Sequence, residues 1–181
     1  MIKIKAPQTK LEKSIFAKTF ERIDGHCIPQ DYLFSKDSRT FGAYDSRGKL
    51  LGGFCLVKGD PKLDSVNLRT VEQANLFCFE NLMLTEITGY FIKDKRCGFK
   101  LTMKLVIETF KSASYFFIYS YNTSNKKLES YYKTGNPKRV FSGYIYYGND
   151  YNIENVEILS KLGIIKIFLN RTMRLIKRKM R

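Results

Sequence analysis

The chain has 181 residues, 44% of them hydrophobic, and a net charge of +15 at pH 7. This length and apolar fraction predict about one folded domain with a sizeable core, and they exclude intrinsic disorder for most of the chain. No run of about 18 apolar residues is present, so a membrane-spanning helix is not expected. The alternating start at residues 1–5 is unlike a signal peptide, and we expect a cytoplasmic protein with reduced thiols.

The N-terminal segment predicts a short strand followed by a helix. Ile2 and Ile4 alternate with lysines, which favours a strand. Apolar residues recur at helical spacing over residues 11–23, and Gly25 is a plausible end for that helix. Residues 26–38 are expected to be irregular.

The next segment predicts a β-hairpin and a long strand. Apolar runs at residues 40–45 and 49–57 flank a short connection that contains a glycine, as in a hairpin. Residues 62–80 fit either a helix or a strand. Residues 82–92 form a long strand pattern, and Gly89 inside it indicates a bulge or a close backbone approach.

A basic loop then leads into two further strands and two helices. Residues 93–100 are basic around Gly98, and a helix is predicted to follow. Residues 115–119 are almost continuously apolar, which predicts an interior strand. A second helix should end near Gly135, and residues 139–147 read as a tyrosine-rich strand.

The loop around Gly98 is a candidate site for a phosphate group. A helix N-terminus presents unpaired N–H groups, a glycine permits close approach, and Lys95, Arg96 and Lys100 add positive charge. The loop lacks both the G-K-[ST] of a Walker A motif and the G-x-G-x-x-G of a dinucleotide fingerprint. A solvated basic connection is the alternative. The single His26 and the absence of a C-x-x-C pair predict no metal site.

Two motifs resemble those of the GNAT superfamily of acyl-CoA N-acyltransferases. Residues 95–100, Lys-Arg-Cys-Gly-Phe-Lys, stand where that family has Q/R-x-x-G-x-G/A between its fourth strand and third helix. Tyr131 to Gly135 has the family's Tyr-x-x-x-Gly spacing, with Asn125 upstream. Lysines replace the first and last residues of the first motif, and Asn136 replaces the phenylalanine that follows the second.

The resemblance implies an α/β fold: a single GNAT-like domain with a central, mostly antiparallel mixed sheet flanked by helices. It implies direct transfer of an acetyl or longer acyl group from acyl-CoA to a small-molecule or peptide amine. The donor's pyrophosphate would rest on the backbone N–H groups of residues 96–100, and its pantetheine arm along the strand that ends at Ile92. The implied cofactor-binding residues are Phe91, Ile92, Lys95, Arg96, Cys97, Gly98, Phe99, Lys100 and Asn125.

The resemblance also implies the catalytic groups. Tyr131 would protonate the leaving thiolate, although an ordinary packed aromatic is the alternative. An N–H near Gly89 would polarise the thioester carbonyl. Glu86 is the first candidate for the base that deprotonates the amine, and a solvent-facing strand residue is the alternative. Strand alternation places Glu86 on the same face as Tyr90. Glu80 is a second candidate.

The C-terminal residues predict a basic amphipathic helix over about 158–180. Residues 159–181 hold eight Lys or Arg and no acid. We therefore divide the chain into a GNAT-like domain, residues 1–150, and a basic tail, residues 151–181. The tail either binds an anionic membrane surface or packs on the domain with its cations solvated. Its apolar stripe consists of Ile158, Leu162, Ile165, Leu169, Met173, Ile176 and Met180.

These observations together predict an acetyl-CoA-dependent N-acyltransferase. An acidic acyl carrier protein is an alternative donor, since its charge would suit this chain. Two rival classes stay open: a basic nucleic-acid-binding module, for which no RNP, KH, HTH or zinc-finger pattern is present, and a catalytically degenerate interaction protein at the membrane surface. The expected location is the cytoplasm, with a peripheral position at the inner face of the membrane as an alternative.

Overall fold

A mixed β-sheet of seven strands runs through the described part of the chain, which in this computed structural model comprises residues 1–25, 28–58, 84–147 and 150–179. The strands are β1 (Lys3–Lys5), β2 (Ser38–Tyr44), β3 (Leu50–Lys58), β4 (Leu84–Ile92), β5 (Phe116–Asn122), β6 (Lys138–Tyr147) and β7 (Asp150–Ser160). Their order across the sheet is β1-β2-β3-β4-β5-β7-β6. Each neighbouring pair is antiparallel except β4 and β5, which confirms the predicted α/β fold with a mostly antiparallel mixed sheet.

Five α-helices connect these strands within the described residues. They are α1 (Lys10–Asp24), α2 (Gln30–Leu33), α3 (Gly98–Lys111), α4 (Lys126–Lys133) and α5 (Lys161–Lys179), and a 3-10 turn (Lys95–Cys97) precedes α3. Local signals explain the predicted limits of α1. Thr9 and Glu12 form a reciprocal capping box at its start, and Gly25 ends it with φ 84°, a left-handed conformation that favours glycine.

The helices cover both faces of the sheet. On one face, Phe16 of α1 and Leu33 of α2 are fully buried against strand residues that include Phe91. On the other face, Leu101 of α3 packs with residues that include Phe54. The helices α4 and α5 cover that second face beside α3, because Ile87 of β4 packs in the clusters of both α3 and α5.

The hairpin of β2 and β3, the first strand and the interior position of β5 are confirmed. The segment expected to be irregular contains the short helix α2. Residues 62–80, which include Cys78 and Glu80, lie outside the described residues. The same holds for His26 and Cys27.

The strand β7 was missing from the predicted elements. It pairs with β5 along seven residues and with β6 over residues 150–158, so residues 150–160 belong to the sheet and the expected tail boundary at residue 151 falls inside it. The strand was hidden because it buries polar side chains. Glu154, Asn155 and Glu157 are each at most 3% exposed, so its inward positions do not look apolar.

The C-terminal helix α5 begins at Lys161, three residues later than expected, because Ile158 still belongs to β7. Its packed side is a set of residues that the sequence did not single out, Ile164, Ile167 and Phe168. Its backbone lies close to α4: a Cβ atom at Gly163 would lie 2.6 Å from the carbonyl oxygen of Gly135. The glycine of the Tyr-x-x-x-Gly motif therefore makes room for α5.

Candidate functional site

The strands β4 and β5 separate after three residue pairs. Leu84, Thr85 and Glu86 pair with residues 116–118, and there the ladder ends, although β4 continues to Ile92 and β5 to Asn122. Beyond Glu86 the edge of β4 that faces β5 therefore has no strand partner among the described residues. This gap in the middle of the sheet leaves a strand edge of the kind with which an extended ligand pairs.

A bulge at Gly89 lies directly after this separation. Phe91 pairs with Gly53 and Thr88 with Cys55, so two residues of β4 oppose one residue of β3. Gly89 has φ 60°, which confirms the predicted bulge. The extra residue reverses the alternation of side chains. Glu86 and Tyr90 therefore lie on opposite faces, and their expected placement on one face was wrong.

A pocket opens on the face covered by α3, α4 and α5. It has a volume of about 510 Å³ including its open mouth. Its lining is mostly apolar and aromatic: Ile87, Tyr90, Thr102, Leu105, Val106, Tyr119, Tyr131, Tyr132, Leu159, Ile164, Ile167 and Phe168. Burial raises the pKa of Tyr131, so its hydroxyl stays protonated over the neutral range. The structure thus brings Tyr131 to the gap between β4 and β5.

The predicted phosphate loop is a 3-10 turn that leads into α3. Lys95 and Lys100 are exposed. The guanidinium of Arg96 is exposed and lies 2.7 Å from the carboxylate of Asp94, which also caps the turn. Cys97 points into the core instead, where its Sγ lies 3.0 Å from the carbonyl oxygen of Asp94, and burial raises its pKa.

The first turn of α3 carries further positive charge from α5. No side chain in the described part of the chain caps this helix start. Arg171 of α5 donates to the hydroxyl of Thr102 at 2.7 Å, and its guanidinium lies against Gly98, where a Cβ atom would be 2.9 Å from Nη2. Burial lowers the pKa of Arg171, but Tyr90 and Tyr131 beside the guanidinium raise it above its ordinary value. The group is therefore a permanent cation at the helix start.

Glu86 occupies the opposite face of the sheet. Its carboxylate is buried and accepts a hydrogen bond from the hydroxyl of Tyr32 in α2. The solvent-facing alternative for Glu86 is therefore wrong. A carboxylate held in this position, at the last residue pair before the gap, can accept a proton from a group that enters from the side of α1 and α2.

The four remaining predicted cofactor-binding residues make contacts within the fold. The ring of Phe91 is buried against Phe16, at 5.3 Å between ring centroids, so only its backbone faces the gap. Asn125 is the N-cap of α4 and accepts from the N–H of Leu128. Ile92 lies near Gly98, and Phe99 packs on Phe168 of α5 at 5.8 Å between centroids.

Sequence reasoning missed Arg171, Tyr32 and Thr102. Arg171 was counted only as one of the eight cations of the tail, and Tyr32 fell in a segment expected to be irregular. The spacing within α3 placed Thr102 beside the apolar stripe but carried no sign of its three polar contacts, to Gly98, Tyr90 and Arg171. The contact between Thr102 and Gly98 lies within one helical turn. The other contacts of Arg171, Tyr32 and Thr102 join residues distant in the chain, so no local pattern could have shown them.

Comparisons of the whole fold agree with this geometry. FeeM, an N-acyl amino acid synthase from uncultured soil microbes, superposes with a TM-score of 0.61 at 14% identity, over 89% of this chain and 91% of its own. The chain has the fold of the GNAT acyltransferases. Its resemblance to that superfamily is thereby confirmed at the level of the fold.

Two further GNAT structures match over nearly their whole length. Arabidopsis thaliana NAA60, in complex with a bisubstrate analogue, has a TM-score of 0.62 at 12% identity over 88% of this chain and 99% of its own. Spermidine N-acetyltransferase from Vibrio cholerae, in complex with CoA and spermine, has a TM-score of 0.58 at 10% identity over 91% and 98%. In sequence, no protein-family model and no curated protein matches the chain.

Proposed function

We propose that the protein is an N-acyltransferase that moves an acyl group from an acyl-CoA thioester directly to an amine while both substrates are bound. The gap between β4 and β5 carries this proposal, because it lies between two differently equipped faces of the sheet. The pocket with Tyr131 lies on one face and the buried carboxylate of Glu86 on the other. A donor and an acceptor approaching from opposite faces would meet in the gap.

The start of α3 is the proposed site for the pyrophosphate of the donor. The N–H groups of Arg96, Cys97 and Gly98, expected to bind it, are bonded within the turn to Asp94 and Lys95 and would have to be shared or released. Helix N-termini attract anions, and here Lys95, Lys100 and Arg171 add three side-chain cations around Gly98. The pantetheine arm would pair with the open edge of β4, as an added strand does at a sheet edge. A backbone N–H near Gly89 would then polarise the thioester carbonyl.

The transfer needs one base and one acid, and the two faces supply one each. Glu86 would accept the proton that the attacking amine loses as its nitrogen forms a bond to the acyl carbon. The C–S bond would break in the same sequence, and Tyr131 would give its proton to the departing thiolate. The raised pKa of Tyr131 supports this role, because the hydroxyl holds its proton until the thiolate forms.

The structural neighbours support the same substrate classes. One is named as an N-acyl amino acid synthase, and another was solved with CoA and spermine. We propose acetyl-CoA or a longer acyl-CoA as the donor and a small-molecule or peptide amine as the acceptor. An acyl group on an acidic carrier protein would suit the net charge of +15 and is the donor to compare.

Donor binding is the first test. A donor at 100 times its Kd should stabilise the protein by about 2.7 kcal/mol, seen as a shift of about 5–11 °C in Tm. We expect this shift with acetyl-CoA or a longer acyl-CoA and with desulfo-CoA, and little shift with ATP. No shift with any acyl-CoA or acylated carrier protein would reject the donor site.

A matched pair of variants locates the phosphate. Arg171→Gln and Lys166→Gln each remove one positive charge from α5, but only Arg171 lies against Gly98, whereas Lys166 is exposed. We expect donor affinity to fall about tenfold in Arg171→Gln alone, the weight of one charge-assisted contact. Equal losses in both variants would show that overall charge, and not a phosphate site, attracts the donor.

Catalysis is tested by thiol release with a panel of amines. Tyr131→Phe keeps the ring and removes the hydroxyl, so kcat should fall about 100-fold with donor affinity unchanged. Tyr115→Phe, at an exposed tyrosine outside the pocket, is the control and should keep full activity. Full activity in Tyr131→Phe would remove Tyr131 from the mechanism.

A further inference from the structure

We propose that the outer faces of α3 and α5 together form a docking surface for an anionic lipid membrane. This surface is distinct from the acyl-transfer site, although it borders the pocket. It consists of two exposed apolar stripes on neighbouring helices, accompanied by lysines and arginines.

The helix α3 is apolar on two sides. Leu101 is fully buried and packs inward with Leu105. The opposite side carries an exposed stripe at spacings of four, four and three residues: Phe99, Met103, Ile107 and Phe110, each 37–50% exposed. One helix that covers a sheet needs only one apolar side, so the second stripe is available to a partner.

The helix α5 has the same construction. Ile164 and Ile167 are buried under it. Leu162, Leu169 and Met173, three members of the stripe that the sequence singled out, point outward and are 52–69% exposed. These three residues of the predicted stripe therefore do not pack on the domain, whereas Ile158 of the same stripe is buried in β7.

The two stripes belong to one surface. The two helices lie on the same face of the sheet and touch through the rings of Phe99 and Phe168 and through the bond from Arg171 to Thr102. Single exposed apolar residues are ordinary on a protein surface, whereas stripes on two adjoining helices indicate an interaction site.

The charge of this surface specifies an anionic partner. The helix α5 contains seven Lys or Arg and no acidic residue. The one acidic residue of α3, Glu108, is 1% exposed and paired with Arg39 and Lys104, so it shows no negative charge to a partner. Lys111 and Lys166 stand exposed on these helices. Each cation near an anionic leaflet adds to the attraction.

A membrane fits this surface better than nucleic acid does. The stripes are largely aliphatic, and Leu, Ile and Met offer no ring on which a base could stack. Two helices side by side present ridges, which a fluid lipid interface can accommodate. None of the described helices combines the length and hydropathy needed to cross a bilayer, so the proposed position is in the plane of the interface.

The helix α1 provides an internal control. It also exposes two apolar residues one turn apart, Leu11 and Ile15. It lies on the opposite face of the sheet, and acidic Glu12 and Glu21 accompany its cations. The proposal predicts that this exposed apolar pair on α1 does not bind membranes.

The test is vesicle flotation with the full chain. The vesicles are phosphatidylcholine alone, or phosphatidylcholine with about one-third phosphatidylserine. One double variant combines Ile107→Glu with Leu169→Glu on the docking surface. The control double variant combines Leu11→Glu with Ile15→Glu on α1. Both double variants exchange two exposed apolar residues for two carboxylates, so they change net charge equally. Thermal unfolding confirms that both remain folded.

We expect the unchanged protein and the α1 variant to float with the anionic vesicles and to be released by salt, and we expect at least about tenfold weaker partitioning for the α3/α5 variant. Equal binding to neutral vesicles, equal loss in the two variants or no flotation would overturn the proposal. Two further results would overturn it if the protein does not bind the vesicles. These are binding of a single-stranded oligonucleotide, or dimerisation measured by light scattering, that is lost in the α3/α5 variant. None of these readouts depends on acyl transfer.

Discussion

The two halves of the sheet bury different kinds of side chain. The N-terminal half-sheet, β1 to β4, packs fully buried apolar side chains such as Phe54 and Leu101 around the local hairpin of β2 and β3. The C-terminal half-sheet, β5, β7 and β6, buries the carboxylate of Glu157 among Tyr119, Tyr121 and Arg139. Only three residue pairs join β4 of the first half to β5 of the second.

This difference shows how the fold positions its site. A sheet that is continuous would leave no passage between its faces, whereas two half-sheets joined at one end leave a gap at the other. The apolar half supplies the rigid strand that carries Gly89 and Glu86. The polar half supplies Tyr119 to the pocket and supports α5.

The largest expected effect tests the apolar half. Phe54→Ala should lower the free energy of unfolding by about 3–5 kcal/mol, because the ring is fully buried and its removal leaves a cavity. Phe110→Ala, at a half-exposed ring, should cost about 0.5 kcal/mol. Urea denaturation followed by circular dichroism measures both. Two separate transitions in Phe54→Ala would show that the half-sheets unfold independently.

The second prediction tests the polar half. Glu157→Gln should cost about 2 kcal/mol, since the carboxylate accepts charge-assisted and tyrosine hydrogen bonds in a buried position. The matched control is Glu129→Gln, whose partners Lys126 and Lys133 are exposed and whose contact with Arg139 is longer, at 3.5 Å, so its loss should be smaller. Equal losses in urea denaturation would mean that burial of Glu157 contributes nothing beyond a surface pair.

The third prediction separates strain from function at the boundary between the halves. Gly89→Ala and Gly25→Ala each place a side chain at a positive φ, and a Cβ atom meets no close contact at either position. Both should cost about 1 kcal/mol. Only Gly89→Ala should lower acyl transfer, because Gly25 merely ends α1. A fully active Gly89→Ala would exclude an oxyanion role for the bulge.

The smallest expected effect concerns Glu12 in the N-terminal half. The side chain of Lys5 and the N–H groups of Gln8 and Thr9 lower the pKa of Glu12 from 4.5 to about 2. The stabilisation is therefore complete above pH 4.5 and lost as pH falls toward 2. At pH 7, Glu12→Gln should cost up to about 1 kcal/mol, reduced by solvent screening. Thermal unfolding across this range should show the difference vanish; a constant difference would contradict the assigned cause.

Signals within single segments determined much of this protein. The bulge at Gly89, the Gly25 end of α1, the β2–β3 hairpin and the buried run of β5 could all be predicted, because period and turn chemistry act over a few residues. The motif at residues 95–100 and Tyr131 pointed to the site by resemblance. The stripe of α5 was visible in its spacing.

Contacts between distant segments decided the rest. Glu157 of β7 is buried with Tyr119, Tyr121 and Arg139 as its partners, so no local pattern marks that strand as interior. The bulge moved Tyr90 away from the face of Glu86, and the packing of α5 brought Arg171 to Gly98. The periodicity of apolar residues follows from the segment itself, but the contacts of each side chain depend on how the whole chain packs.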